Sequence, residues 1–215
     1  MDEIVYVIGG AGKRSSLKFY KNIVEKASLK IACDSGIKIY REINVVPDIL
    51  IGDFDSASPE DLEWAKKNGC EILTYPAEKE EIDTELALIV LRERKEKDVI
   101  ISGVLGDRID QEVASLYLLV EYIDLNPCIL EEDVKIGVVS GFKEEDAFVG
   151  ETWSILRIGD KVEGLTLEGF KYELKNKDLN NFRSLGISNE AISNKVRIFL
   201  KKGTILFVRW INKKW

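Results

Sequence analysis

The stretch Ile49-Leu50-Ile51-Gly52-Asp53-Phe54-Asp55-Ser56-Ala57-Ser58-Pro59-Glu60-Asp61 decides how the rest of the chain is read. It opens on Ile49–Ile51, a short apolar run that reads as a buried strand. Ser58 then offers an N-cap, Pro59 the first helical position and Glu60-Asp61 an acidic first turn. Together these predict a helix, which Gly69 stops. Strand, loop and helix in that order are the repeating unit of an α/β protein. The two aspartates fall just beyond the carboxyl end of the strand, where ligands bind in open α/β sheets.

Working outward, the same unit recurs. Ile4–Ile8 is apolar and ends at Gly9-Gly10, and the runs at 29–33, 71–74 and 99–102 read as further short strands. Between them, Ile82, Leu86, Ile89 and Val90 share one helical face, as do Val113, Leu116 and Val120. This alternation predicts an α/β domain over residues 1–127, a parallel, Rossmann-like sheet covered by helices. After Asn126-Pro127 the pattern changes. Glycines recur at 137, 141, 150, 159, 164, 169, 186 and 203. Leu165 and Leu167, then Phe170, Tyr172 and Leu174, alternate with polar neighbours as half-buried strands do. Residues 128–215 therefore read as an all-β domain, an antiparallel β-sandwich.

Composition narrows the chemistry. The chain of 215 residues contains no histidine, which excludes Ser-His-Asp and Cys-His catalysis and any histidine-ligated metal. Three scattered cysteines cannot build a tetrahedral zinc site, so a metal here must be held by oxygen, as magnesium and manganese are. A net charge of −7 argues against extended nucleic-acid binding. With no long apolar run and no signal-like start, a cytoplasmic location and no membrane association are expected.

Four constellations carry the candidate chemistry, and each has a plainer reading. Asp53 and Asp55, two apart, would project to one side as a magnesium clamp while Phe54 turns inward; the alternative is a polar turn before the helix. Asp83, preceded by Lys79, stands at a helix start where backbone N–H groups favour an anion; the alternative is a solvated acidic turn. Gly103 to Gln111 again runs strand, glycine loop and helix. There Arg108 offers a phosphate-binding fork, and the alternative is a surface pair with Asp110. Ser188-Asn189-Glu190 offers small polar groups to a heterocycle or, more plainly, makes a capped turn.

The order Cys33-Asp34-Ser35-Gly36, Pro47-Asp48, Gly52-Asp53-Phe54-Asp55-Ser56, Lys79 to Asp83, Arg108-Ile109-Asp110-Gln111, Gly169-Phe170-Lys171-Tyr172 and Ser188-Asn189-Glu190 closely resembles the thiamine pyrophosphokinase family over nearly the whole chain. The resemblance implies transfer of pyrophosphate from ATP to the thiamine hydroxyl, giving thiamine diphosphate and AMP. It implies a homodimer with the active site at the subunit interface. It assigns Asp53, Asp55 and Asp83 to Mg²⁺ and, with Asp110, to catalysis. Asp34, Lys79, Arg108 and Gln111 would attend ATP, and Ser188, Asn189 and Tyr172 thiamine. Ser35 stands where the family carries glycine, Glu80 where it carries aspartate, Ile82 where it carries threonine, and Asp107 where a second glycine is common. Gln111 replaces the bacterial histidine. The same aspartates would also suit a carboxylate-metal hydrolase of nucleotides or phosphate esters, or a non-catalytic binder of thiamine or nucleotide.

Overall fold

The apolar runs of the first half all become strands; those inside the sheet, at 4–8, 49–52 and 99–102, are mostly buried on both faces, as parallel strands are, whereas 71–74 forms the more exposed edge. The computed structural model describes residues 4–106, 108–180 and 186–211. Along the chain come β1 (Ile4–Ile8), α1 (Leu17–Val24), β2 (Ala27–Cys33), α2 (Ile37–Glu42), β3 (Ile49–Gly52) and α3 (Pro59–Lys67). They are followed by β4 (Glu71–Thr74), α4 (Asp83–Arg94), β5 (Val99–Ser102), α5 (Ile109–Glu121) and β6 (Cys128–Leu130). The strands lie in the order β4-β3-β2-β1-β5-β6, each parallel to its neighbours. The chain winds outward from β1 to β4 and then returns to place β5 on the other flank of β1. The loops after β1 and β5 therefore leave in opposite directions, which opens a crevice between them.

Helix ends follow the expected chemistry. The Ser58 hydroxyl accepts from the Asp61 N–H at 3.1 Å, with Pro59 in the first turn of α3. One helical face differs from expectation. On α5 the buried residues are Ser115, Leu118 and Leu119, whereas Val113 is exposed together with Ile109 and Tyr117. This helix is apolar around most of its circumference, so periodicity alone does not single out its core face.

Contacts divide the chain into units Met1–Glu132 and Asp133–Trp215, five residues later than the compositional change at Pro127. The reason is β6, which still pairs in parallel with β5 at Ile100–Cys128 and Ile101–Ile129. No helix among the described residues is long and apolar enough to cross a membrane.

The second unit comprises β7 (Val134–Val139), β8 (Phe142–Asp146), β9 (Thr152–Glu168), β10 (Leu174–Leu179), β11 (Asn189–Glu190), β12 (Lys195–Phe199) and β13 (Lys202–Trp210). Among the described residues these strands pair antiparallel. The 17-residue β9 builds both layers: its first part pairs with β13 and β11, its last part with β12 and β10. Between the layers lie Trp153, Leu165, Leu167, Phe170, Val196, Ile198 and Phe207. The run from Phe170 to Leu174 is not one strand. Phe170 makes an isolated bridge to Ala191, Tyr172 is exposed, and β10 begins only at Leu174.

A buried ion pair fastens this unit. Arg209 Nε donates to Glu151 Oε2 at 2.9 Å, with the guanidinium 5.4 Å from the Trp153 ring centroid and Glu151 only 2% exposed. Replacing Arg209 by Met keeps much of the packing but removes the cationic partner of the buried Glu151 carboxylate. We expect a loss of about 3–5 kcal/mol in unfolding free energy, read from denaturant titration.

Candidate active site

Every strand of the first unit except β6 sends a loop into one cleft of about 310 Å³. Gly10 and Ala11 follow β1, Asp34 and Ser35 follow β2, and Asp53, Asp55 and Ser56 follow β3. Asp83 and Thr84 open α4, and Arg108, Gln111 and Ser115 come from the start of α5. The cleft thus sits at the crevice where the strand order reverses.

The Asp53–Asp55 pair faces one way, though not through extended backbone. Phe54 adopts φ +64°, in the left-handed region, and packs on the core of the first unit. A phenylalanine there is strained by roughly 1–3 kcal/mol, a cost met by burying its ring. The turn is closed by the Asp55 N–H donating to Asp53 Oδ1 at 3.2 Å. Asp34 also lies at positive φ, +44°, and is only 7% exposed. Its Oδ2 accepts from the Ser56 hydroxyl, and its Oδ1 is buried without a partner.

Asp34, Asp53 and Asp55 each offer a carboxylate oxygen within 4.8 Å of the others. Three carboxylates at that spacing, one with an unpartnered buried oxygen, form the all-oxygen donor set that a hard divalent cation takes. Asp34 stands in this trio rather than Asp83. Asp83 instead shares the Lys79 ammonium with Asp53, at 3.2 Å from each.

The electrostatics follow from those contacts. The Asp55 N–H, ahead of Lys79, holds the Asp53 carboxyl below its ordinary value against the opposing effect of burial. Burial pushes Asp83 up despite its Lys79 partner, and the charges of Asp34 and Asp53 add to the effect. Burial works against the Lys79 charge, but its bonds to Asp83 and Asp53 outweigh that and raise its pKa.

Arg108 and Asp110 form an exposed two-pronged pair at 2.9 and 2.5 Å. Arg108 and Gln111 line the cleft; Asp110 does not stand among its lining residues. Asp107 lies outside the described residues. Ile82 occupies the N-cap of α4 with no side-chain bond. Ser35 donates to the Gly10 carbonyl at 3.1 Å, tying two rim loops together.

In the second unit Tyr172, Ser188 and Asn189 come together. Asn189 is buried: its Oδ1 accepts from the Tyr172 and Glu190 N–H groups at 3.0 and 2.9 Å, and its Nδ2 donates to the Tyr172 carbonyl at 2.9 Å. Its amide therefore holds the loop. The Tyr172 ring and Ser188 (φ +57°) are left exposed. Gly10 and Ser115 also line the cleft, although no sequence motif singles them out. Gly10 registered only as the end of a strand. Ser115 is four residues beyond Gln111, hence on the same helical face.

Two family models match the chain: "Thiamin pyrophosphokinase, catalytic domain" over residues 20–130 and "Thiamin pyrophosphokinase, vitamin B1 binding domain" over residues 142–205. The chain is 24% identical to the thiamine pyrophosphokinase of Bacillus subtilis (strain 168), covering 95% of this chain and 97% of the relative. It is 21% identical to thiamine pyrophosphokinase 1 of Arabidopsis thaliana, covering 84% and 78%. Its fold matches the crystal structure of the Bacillus subtilis protein with a TM-score of 0.86, at 22% identity and covering 98% and 100% of the two chains. It matches that of the yeast thiamin pyrophosphokinase with a TM-score of 0.79, at 16% identity and 98% and 86% coverage.

The Arg108–Asp110 pair holds the Asp110 carboxyl down at about 2. Its effect is present above the ordinary carboxylate range and is lost as pH falls through about 2. With Arg108→Ala, the Asp110 pKa measured by carbon NMR should climb toward about 3.9.

Proposed function

Because the chain belongs to the thiamin pyrophosphokinase family, we propose that its carboxylate cleft holds the triphosphate of ATP for transfer of pyrophosphate to thiamine. The carrying observation is convergence: Asp34, Asp53, Asp55, Asp83, Arg108 and Gln111, from the segments after four separate strands, line one cleft, with Lys79 paired to two of them.

The reaction needs positioning and charge control more than covalent chemistry from the protein. The thiamine hydroxyl oxygen attacks the β-phosphorus of ATP. The bond from that phosphorus to the α–β bridging oxygen breaks, and AMP leaves with the bridging oxygen. Asp34, Asp53 and Asp55 would hold a Mg²⁺ ion, which would supply charge to neutralise phosphate oxygens. Asp83, whose carboxyl burial makes easier to protonate, takes the hydroxyl proton. Lys79 offers its ammonium to the transferred group from between Asp53 and Asp83. Arg108 and Gln111 meet the phosphates from the start of α5, where backbone N–H groups also favour anions.

Thiamine, with its cationic ring, is assigned to the exposed Tyr172 face and to Ser188, with Asn189 holding their loop. A homodimer with the site at the subunit interface belongs to the same reading. Its support is the apolar stripe Ile109, Val113 and Tyr117 on α5, left 76%, 43% and 63% exposed beside the cleft residues Arg108 and Gln111. A cytoplasmic setting is proposed on the free thiols of Cys33, Cys70 and Cys128.

Two measurements test this reading. AMP and thiamine diphosphate should form from ATP and Mg²⁺ only when thiamine is present, and Asp55→Asn should lower turnover by about 10²-fold or more while the fold persists. AMP or ADP formed without thiamine would instead indicate a hydrolase. Separately, Ser188→Ala should raise KM for thiamine while leaving KM for ATP within about twofold; equal effects on both would remove Ser188 from the thiamine site.

A further inference from the structure

Behind the cleft, where β5 and β6 part, lies a buried carboxylate that the reaction does not use. Glu131 is fully buried and follows β6 directly. The ladder pairs Ile101 with Ile129, so the next positions would pair Ser102 with Leu130 and Gly103 with Glu131. Side chains take over there: the Ser102 hydroxyl donates to the Leu130 carbonyl at 2.5 Å, and the Gly103 N–H donates to Glu131 Oε1 at 2.7 Å. Gly103 must be glycine, since at φ +68° an added Cβ would lie 2.8 Å from the Gly9 carbonyl oxygen.

The other oxygen of Glu131 reaches the loop after β1. Its Oε2 accepts from the Ser15 hydroxyl and, at 3.2 Å, from the Tyr20 hydroxyl. Tyr20 accepts in turn from the Arg14 and Ser15 N–H groups at 3.2 and 3.1 Å. Next door, the Glu132 N–H donates to Ser15 Oγ at 2.8 Å, and the Glu132 carboxylate accepts from the Ser16 N–H and hydroxyl at 3.0 and 3.1 Å. The two glycine loops are also zipped to each other: the Gly9 N–H donates to the Ser102 carbonyl and the Ala11 N–H to the Gly103 carbonyl, each at 2.8 Å. Gly10, Ala11, Gly103 and Val104 line the cleft.

We propose that Glu131 is a positioning residue for the nucleotide: one oxygen fixes the loop after β5 and the other fixes the loop after β1, so that together they hold one wall of the cleft in register. Glu131 touches no substrate and acts through the backbone of Gly103 and of Arg14-Ser15. Burial raises its pKa, and the Ser15, Gly103 and Tyr20 donors draw it back, with Arg14 adding a weaker pull. This inference rests on the reading that the cleft takes ATP.

The test is steady-state kinetics of the full chain with ATP, Mg²⁺ and thiamine, together with thermal melting, for wild type, Glu131→Gln and Glu131→Leu. Leu removes both acceptors, whereas Gln keeps the one facing Gly103. We expect KM for ATP to rise about tenfold in Glu131→Leu and to be largely restored in Glu131→Gln, with KM for thiamine within about twofold throughout. If Glu131→Leu does not fold, Tyr20→Phe and Ser15→Ala each remove one donor to Oε2 and should raise KM for ATP about threefold. A lower melting temperature with both KM values unchanged, or equal rises in both, overturns the role of Glu131 while leaving the cleft assignment standing. A wild-type chain with no thiamine-dependent use of ATP overturns both.

Discussion

Lys79 is the interaction on which the rest of the site depends. Carboxylates brought within a few ångströms of one another repel, and in a half-buried cleft water screens that repulsion poorly. The Lys79 ammonium lies 3.2 Å from both Asp53 and Asp83 and so joins the loop after β3 to the start of α4. Its side chain is 12% exposed, which makes the bridge stronger than a surface pair of the same length. The two partners nevertheless differ in how readily they hold their charge. Asp53 is held ionised by a backbone donor as well, whereas Asp83 loses more to burial than Lys79 returns.

The sheet supplies the rest of the constraint. Parallel strands all point their carboxyl ends the same way, so loops far apart in sequence emerge side by side. Within two of those loops single residues take left-handed backbone, Asp34 and Phe54, and each turn aims a carboxylate at the cleft. Ile82 marks a trade at the α4 terminus. The Ile82 carbonyl accepts from the Glu85 N–H at 2.8 Å, but its apolar side chain caps neither of the N–H groups before it, where a hydroxyl would contribute about 1 kcal/mol. That leaves the donors at the mouth of α4 to be met by solvent or by an anion.

Much of this was legible in the sequence because it is local. Apolar runs with glycine stops located the strands, and Ser58-Pro59 located α3. Asp53, Asp55 and Asp83 fell at strand or helix ends and proved to share a cleft. What escaped was set by tertiary pairing. Asp34 entered the trio through a positive φ that its neighbours do not announce. The core face of α5 was misread because Val113 and Leu118 are equally apolar, and only packing tells them apart. The end of the first unit was placed at the composition change, whereas β6 follows Pro127 and stays in the parallel sheet. Asn189 was recognisable as a small polar residue, but its burial as the clasp of the Tyr172 loop was not. Glu131 and Ser15 stand 116 residues apart, and no spacing rule joins them.

The balance of charge in the cleft determines how it can take a polyanion. Asp34, Asp53, Asp55 and Asp83 gather there with the Lys79 ammonium, the Lys38 ammonium is held on the Ser56 carbonyl, and the Arg108 charge is engaged by Asp110. A triphosphate arriving alone meets net negative potential, whereas a divalent cation is drawn in. A cation among the carboxylates would weaken that negative potential and offer the phosphate oxygens a direct ligand, and by linkage bound phosphates must hold the cation more tightly to the same degree. On the proposed reading, attraction for a nucleotide in a chain of net charge −7 arises locally and only when both ligands are present.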